Sequence, residues 1–543
     1  ALFGSSAIAG TINIITKEPM RNSGMLSHTI TGIGDGDVFD NSTALNASLV
    51  TDDQRAGLYI FGQNRHRSAY DHDGDGYSEI PKLHGQTIGF RSFLKTTTYS
   101  KLTFEYHHME EFRRGGDLLN RPPHEANVAE QTEHSINGGG LKFDYFSPNE
   151  NHRFNVFASA QHINRDSYYG GGQDPNAYGN TTDLNWMAGS QYVYSFGKCI
   201  FMPADLTAGI EFNQDKLEDN MWGYHRTVDQ KVNIGSAFFQ NEWKNEHWGF
   251  LIGGRLDKHN LIDHVIFSPR ANLRYNPTEN INLRFSYSSG FRAPQAFDED
   301  LHVENVGGNV AMVELADNLK EERSQSLSAS ADIYHRFGAF QVNFLVEGFY
   351  TKLSDVFALT DGEIVDGILT RTRYNAPGAR VMGLTLEGKM AYLTKFQLQA
   401  GITLQQSHYS EPHVWNKEAP AVKKMMRTPN TYGYFTATYT PIKPLSIALS
   451  GTYTGSMLVP HEPVPGFLEK PITVNTKDFF DIGLKAAYDF KLYKSMNLQV
   501  NAGVQNIFNA YQNDFDKGAD RDSGYIYGPS LPRSFFAGVK ISY

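Results

Sequence analysis

A single cysteine, Cys199, is the only thiol in 543 residues. It cannot form an internal disulfide, no Cys/His spacing suggests a zinc site, and the side chain reads as a small apolar filler. No stretch approaches the run of about 18 apolar residues that a membrane-spanning helix needs, which excludes helical spanning. The length would allow roughly three or four globular domains, yet no linker, low-complexity run or composition shift divides the chain after about the first 20 residues. Also missing are a phosphate-cradling glycine loop, a nucleophile elbow and a zinc-binding helix, so no catalytic constellation exists and no enzyme is expected. The formal net charge of −10 argues against a nucleic-acid partner. The chain opens at Ala1 with neither an initiator Met nor a basic leader, so no signal peptide is read.

Present in abundance are 50 glycines, 29 tyrosines and 36 phenylalanines, and a two-residue alternation of apolar and polar side chains recurs from one end to the other. Phe535, Ala537, Val539, Ile541 and Tyr543 share one face of the last segment, and Met496, Leu498, Val500, Ala502 and Val504 repeat the pattern just before it. Ile281, Leu283, Phe285 and Tyr287 alternate in the same way with Asn282, Arg284 and Ser286. Such alternation suits a sandwich, with core against water, and equally a membrane barrel, with lipid against lumen. The connections choose between them. Short turns at 51–55, 147–151, 276–279, 336–338 and 440–443 alternate with long polar segments at 111–134, 164–185, 290–322, 407–426, 455–477 and 511–531. Tight turns at one rim and long loops at the other form the outer-membrane pattern. The rhythm predicts an all-β fold, a 22-stranded antiparallel transmembrane β-barrel with short periplasmic turns and long extracellular loops, large enough to enclose a plugged lumen.

Residues 1–16, with Gly4, Ser5, Ser6, Ala7 and Gly10 ahead of Ile12, Ile14 and Ile15, resemble the last plug strand of TonB-dependent receptors. Further motifs follow in that family's order. They are Gly253-Gly254-Arg255-Leu256-Asp257, Ser268-Pro269-Arg270, Phe291-Arg292-Ala293-Pro294, Asn318-Leu319-Lys320-Glu321-Glu322, Arg427-Thr428-Pro429 and Asn506-Ile507-Phe508-Asn509, and the chain ends on an aromatic residue. The resemblance covers essentially the whole chain. It implies a plug remnant at 1–20, a barrel at 21–543, location in the outer membrane among its lipid, and uptake of an iron chelate, either a siderophore complex or haem. It also implies a TonB complex engaged through an N-terminal part not in this sequence, and a surface lipoprotein as a candidate accessory partner. Cobalamin is the alternative cargo, and an ungated pore or adhesin barrel the alternative of another class.

Several residues are candidates for ligand contact. Asp71, Asp73, Asp75 and Glu79 fall at alternating positions around Gly76, similar to the first half of a calcium loop, although Lys82 occupies the position of the usual bidentate Glu. Calcium is therefore the one candidate cofactor, none being required; the alternative is a solvated acidic loop tip. His302, between Phe291-Arg292-Ala293-Pro294 and Ala316-Asp317-Asn318-Leu319, resembles the loop histidine of haem receptors, with Asp298 and Asp300 beside it. His107 and His108 are expected at a strand end, with Arg113 and Arg114 opening the next loop towards an anionic chelate. Tyr168, Tyr169, Tyr525 and Tyr527 offer flat amphipathic faces, or belong to the interfacial girdles.

Overall fold

The computed structural model describes residues 18–34, 36, 38–294, 311–360, 363–365 and 368–543. Among these, twenty-two long strands pair antiparallel with their neighbours in chain order, and the first, Ser23–Ile33, pairs with the last, Ser534–Ser542, closing the sheet. The expected plug strand at 1–16 lies outside the described residues. Small additions sit in the long connections. Val422–Lys424 joins Phe396–His413 through an irregular register, Ile368–Ala376 gathers three short strands, and Leu458–His461 pairs with Ile472–Asn475.

Closure follows from the solvent. Hydrocarbon offers backbone amides no hydrogen-bond partner, so a sheet spanning it must have no free edge. The alternating sequence then decides which face meets lipid, because residues directly opposite each other share a face. Leu26, Ile541, Leu498 and Phe490 form one such row across four strands, and Val539, Val500 and Tyr488 form another. These side chains are left open: Leu26 is 50%, Val500 41% and Ile541 39% exposed. Between them Gln499 turns to the other face and donates to Asp489 at 2.9 Å. Apolar rows outside and polar rows inside identify the lipid and lumen faces.

Aromatic rings mark the edges of the lipid band. Trp248 stacks on Tyr275 at 4.2 Å and Phe201 on Trp243 at 5.6 Å near the short turns, while Trp186 meets Phe212 at 5.2 Å nearer the other rim. On the lumen side one close approach dictates glycine. A Cβ at Gly209 would lie 2.3 Å from the Phe238 ring, which covers the gap the glycine leaves.

Strand length is uneven. Ser534–Ser542 has 9 residues and Met496–Gln505 has 10, about what crosses a bilayer when tilted, whereas His152–Gly171, Tyr178–Cys199 and Met202–Met221 have 20, 22 and 20. Two segments expected as long loops, 111–134 and 164–185, are therefore largely strand, the true connections being 117–127 and 172–177. The lipid-facing row of His152–Gly171 changes from Phe154, Val156, Ala158 and Ala160 to His162, Asn164 and Asp166 while pairing continues. Above the membrane both faces are wet, so the alternation that signals a strand disappears although the strand does not. His107, His108, Arg113 and Arg114 are corrected for the same reason: all lie within the continuous strand Ser100–Gly116, not at its end or in a loop.

A charged residue at Val500 or Ile541 is expected to destabilise the barrel by ~2–4 kcal/mol, the range for a cation at the midplane of a lipid face. Polar exchange of Gln499 or Lys540 should be nearly neutral, as read by denaturant unfolding in vesicles; the reverse ranking would invert the face assignment.

Candidate functional site

At the long-loop rim, the connection 68–77 meets the last long connection, 506–533, above the seam where the chain's ends pair. The first is a polar turn knotted by its own carboxylates. Gly74 and Gly76 take positive φ of 75° and 91°, which favours glycine. Their amides donate to Asp71 at 2.7 and 2.8 Å. Asp75 accepts from the amides of Tyr77 and Gly518 at 2.9 and 2.8 Å, and from the Arg521 guanidinium. Arg521 also donates to Glu79 at 2.9 Å, and Glu79 accepts the His72 amide at 2.6 Å. One guanidinium, 11% exposed, thus binds a carboxylate of this loop and another at the start of the strand Ser78–Thr97, both more than 440 residues away in sequence. Burial alone would raise the Asp75 carboxyl, but the two amides and Arg521 hold it below its ordinary value.

A third loop joins them. His461 of 455–478 donates from Nε2 to the Asp516 carboxylate at 2.9 Å and stacks on Tyr525 with ring centroids 3.8 Å apart and planes 6° off parallel. The hydroxyls of Tyr525 and Tyr527 donate to Asp514 at 2.9 and 2.6 Å. Burial, with Asp514 adding and Tyr527 opposing, pushes the Tyr525 hydroxyl up to about 12, so it stays a donor at neutral pH. His72, edge-on to Tyr511 at 4.8 Å, is pushed down by burial against the pull of Asp73 and Asp71, and is neutral there.

Beneath these contacts lies a cavity of about 280 Å³ lined by Tyr77, Arg113, Glu130, Thr132, Phe515 and Arg521 among others. Thr132 pairs with Arg113 across the strands, and both lie on the lumen face. The cavity therefore opens on the lumen mouth and combines two cations, carboxylates and aromatic rings.

Of the expected chelate contacts, the structure brings Arg113 and Tyr525 to this cavity. Arg113 pairs with Glu111 at 2.7 Å. Arg114, one residue on, faces outward, is 1% exposed and donates to the carbonyls of Gly115 and Asp117. Tyr168 also faces outward and is 1% exposed, packed among Ala126, Ala129 and Ala177 with its hydroxyl on Asp174 O at 2.8 Å. Tyr169 faces the lumen but is 5% exposed. Neither tyrosine presents an open ring, and Tyr525 presents one face at most, its other being covered by His461. Asp298, Asp300 and His302 lie outside the described residues.

In the acidic turn, Asp71, Asp73 and Glu79 each place an oxygen within 4.8 Å of the others, a spacing that suits a cation. Asp73 Oδ2 is buried without a hydrogen bond, which fits the same reading. Asp75 turns away to Arg521, and Lys517 approaches Asp73 at 3.5 Å, so a cation would share these charges with two basic side chains. Sequence reasoning missed Arg521, His461, Asp514 and Asp516. Only the acidic spacing from Asp514 to Asp522 hinted at them, and it does not reveal a partner so distant in the chain.

Arg521→Ala should free the connection 68–77. Two charge-assisted bonds to buried carboxylates support a loosening of about 2 kcal/mol, roughly a 30-fold rise in the open population, measured by chymotryptic cleavage at Phe515 in intact barrels. Because Asp75 titrates below its ordinary value when folded, its contribution is complete above about pH 3.9 and is lost as pH falls through the lower folded value. Hydrogen-exchange protection of the Gly518 amide should decline over that acidic window; protection unchanged there would refute the latch.

Comparison with known proteins agrees with this geometry. Residues 25–507 match the family model for the TonB-dependent receptor-like β-barrel. Similar solved structures include the siderophore receptor PirA from Acinetobacter baumannii, with TM-score 0.78 and 15% identity over 100% of this chain and 84% of that one. The ferric enterobactin receptor PfeA from Pseudomonas aeruginosa has TM-score 0.77 and 15% identity over 100% and 84%. The ferric-catecholate import receptor Fiu from E. coli K12 has TM-score 0.72 and 15% identity over 99% and 85%. At such identities the likeness establishes the fold, and no curated protein matches the sequence. With the family model spanning most of its length and a closed barrel of the expected size, the chain belongs to the TonB-dependent receptor family of outer-membrane β-barrels.

Proposed function

We propose that this barrel serves TonB-dependent uptake of an iron chelate, with a siderophore complex as cargo. The observation that carries the reading is the cavity at the lumen mouth, where Arg113 and Arg521 meet Tyr77 and Phe515 under loops latched over it. A ferric chelate is commonly an anion with flat apolar flanks, and guanidinium groups beside aromatic faces suit both features. At about 280 Å³ the cavity suits part of such a molecule, the remainder lying in the adjoining lumen. The three structural neighbours named above, described as siderophore, ferric enterobactin and ferric-catecholate receptors, support the same cargo class.

Binding by itself does not concentrate a nutrient. A ligand held tightly outside must be released inside, so in this reading TonB pulls on the plug and supplies the work. The long-loop latch would keep the chelate from escaping while that happens.

A second cargo, cobalamin with a calcium-ordered loop, is favoured by one observation, the convergence of Asp71, Asp73 and Glu79. Calorimetric titration with calcium separates the two. Under the cobalamin reading calcium binds, Asp73→Ala abolishes that binding, and cyanocobalamin affinity rises with calcium.

For the leading reading, intrinsic fluorescence quenching by ferric catecholate and hydroxamate complexes should show saturable binding, weakened about tenfold or more by Arg113→Ala. A Soret band in protein purified from its native membrane, with none of these complexes bound, would replace the siderophore by haem.

A further inference from the structure

The chain has 19 histidines, and among the described strands two of them face each other directly at one place only, where His66 of Ala56–Arg67 pairs with His84 of Ser78–Thr97. Their ring centroids lie 5.8 Å apart and the rings meet edge to face at 73°. The register fixes their side of the wall. Leu26 pairs with Leu45, Leu45 with Gly62 and Gly62 with Ile88, a row that faces lipid, with Leu45 47% and Ile88 60% exposed. His66 and His84 stand four positions from Gly62 and Ile88, on the same face and towards the long-loop rim. At the usual rise and tilt they are about 10 Å above that row, level with the outer headgroups. Both side chains are exposed.

A neutral imidazole offers a lone pair that suits late first-row divalent ions. Two imidazoles on paired strands offer two lone pairs at a separation set by the sheet. With metal–nitrogen bonds of about 2.1 Å, a shared ion holds two ring centres roughly 5 Å apart, so this pair closes on an ion by a small turn of either ring. Little in the protein competes for the nitrogens. Among the described residues His66 forms no hydrogen bond, and Nε2 of His84 meets the Gln86 amide nitrogen at 3.4 Å, too long for a strong bond. An amide nitrogen only donates, so that ring nitrogen carries its lone pair. Glu110, opposite Gln86 on the next strand, is diagonal to His84 and offers a carboxylate oxygen to the same ion.

We propose that His66 and His84 form a binding site for a late first-row divalent metal ion, of the copper(II) and zinc(II) class, on the outer surface of the barrel. The nitrogen donors select against calcium, which takes oxygen ligands, and so set this site apart from the acidic turn of Asp71, Asp73 and Glu79. The wall separates it from the Arg113 cavity, so an ion held here is not cargo in the lumen. It bridges the two strands joined by the connection 68–77.

The test uses the folded barrel in phosphatidylcholine nanodiscs, stripped with chelator and titrated with copper(II), with electron paramagnetic resonance counting the nitrogens bound to the metal. The wild type should take up one copper with a two-nitrogen signature, displaced by zinc(II) and not by calcium. The second imidazole binds intramolecularly, so His66→Ala or His84→Ala should each weaken the site ~100-fold and leave one nitrogen. His108→Ala should change neither quantity, since His108 is on the same face but lies opposite Ile88 and Asn137. Heat-modifiable gel migration verifies that each variant is folded. Unchanged affinity and nitrogen count in both His66→Ala and His84→Ala would overturn the proposal and leave the rings as an aromatic contact only. Displacement of the copper by calcium, or loss of the signal in His108→Ala, would equally defeat it by placing the ion elsewhere.

Discussion

The backbone amide cannot be left unpaired in hydrocarbon, and the rest of this structure is organised around that constraint. It forces Ser23–Ile33 against Ser534–Ser542, two segments at opposite ends of the chain, and so turns a long series of hairpins into a closed wall. Closure separates two solvents and gives the two-residue alternation its meaning. Every side chain in the membrane zone faces either lipid or lumen, which is why Gln499 bonds to Asp489 inside while Val500 beside it lies open outside. A soluble sheet tolerates a frayed edge that this one cannot.

Closure also determines which loops can meet. Because the ends of the chain are neighbours in the wall, the connection 68–77 stands beside the connection 506–533, and Arg521 reaches Asp75 and Glu79 across the seam. The barrel is sealed by backbone pairing in the membrane and by a charged latch above it. These two fastenings differ in character. The backbone seam is uniform and insensitive to pH, whereas the latch depends on carboxylates that titrate and on one largely buried guanidinium. The membrane part is therefore held by pairing that titration does not alter, and the mouth by charges that it does.

The barrel, its size and its lipid face were legible in the sequence because lipid and lumen impose opposite demands on alternate residues. Leu498, Val500 and Ile541 read correctly for that reason. Where the constraint lapses, legibility lapses with it. Asn164 and Asp166 lie in a strand that rises into water on both sides, and their polarity suggests a loop. Arg113 and Arg114 look like one basic pair, yet neighbours in a strand point in opposite directions, so only Arg113 reaches the lumen cavity. Tyr168 shows the same limit: an exposed ring and a ring packed on three alanines have the same sequence signature. The latch was hidden altogether, since no local spacing connects Arg521 to Asp75.

The unequal height of the wall carries the synthesis one step further. Strands such as Tyr178–Cys199 extend well beyond the membrane on one side, whereas Leu445–Thr454 and Met496–Gln505 end near it, so on that low side loops must supply the rim. The three interlocked connections, 68–77, 455–478 and 506–533, include the two that leave these short strands. The loop-built part of the mouth thus adjoins a wall of long strands, and the Arg113 cavity lies where the two meet. A ligand bound there would touch strand residues whose positions are set by closure, such as Arg113, and loop residues whose positions are set by the latch, such as Arg521. In the proposed reading only the second set would change if the latch opened, which would couple binding at this junction to loop position.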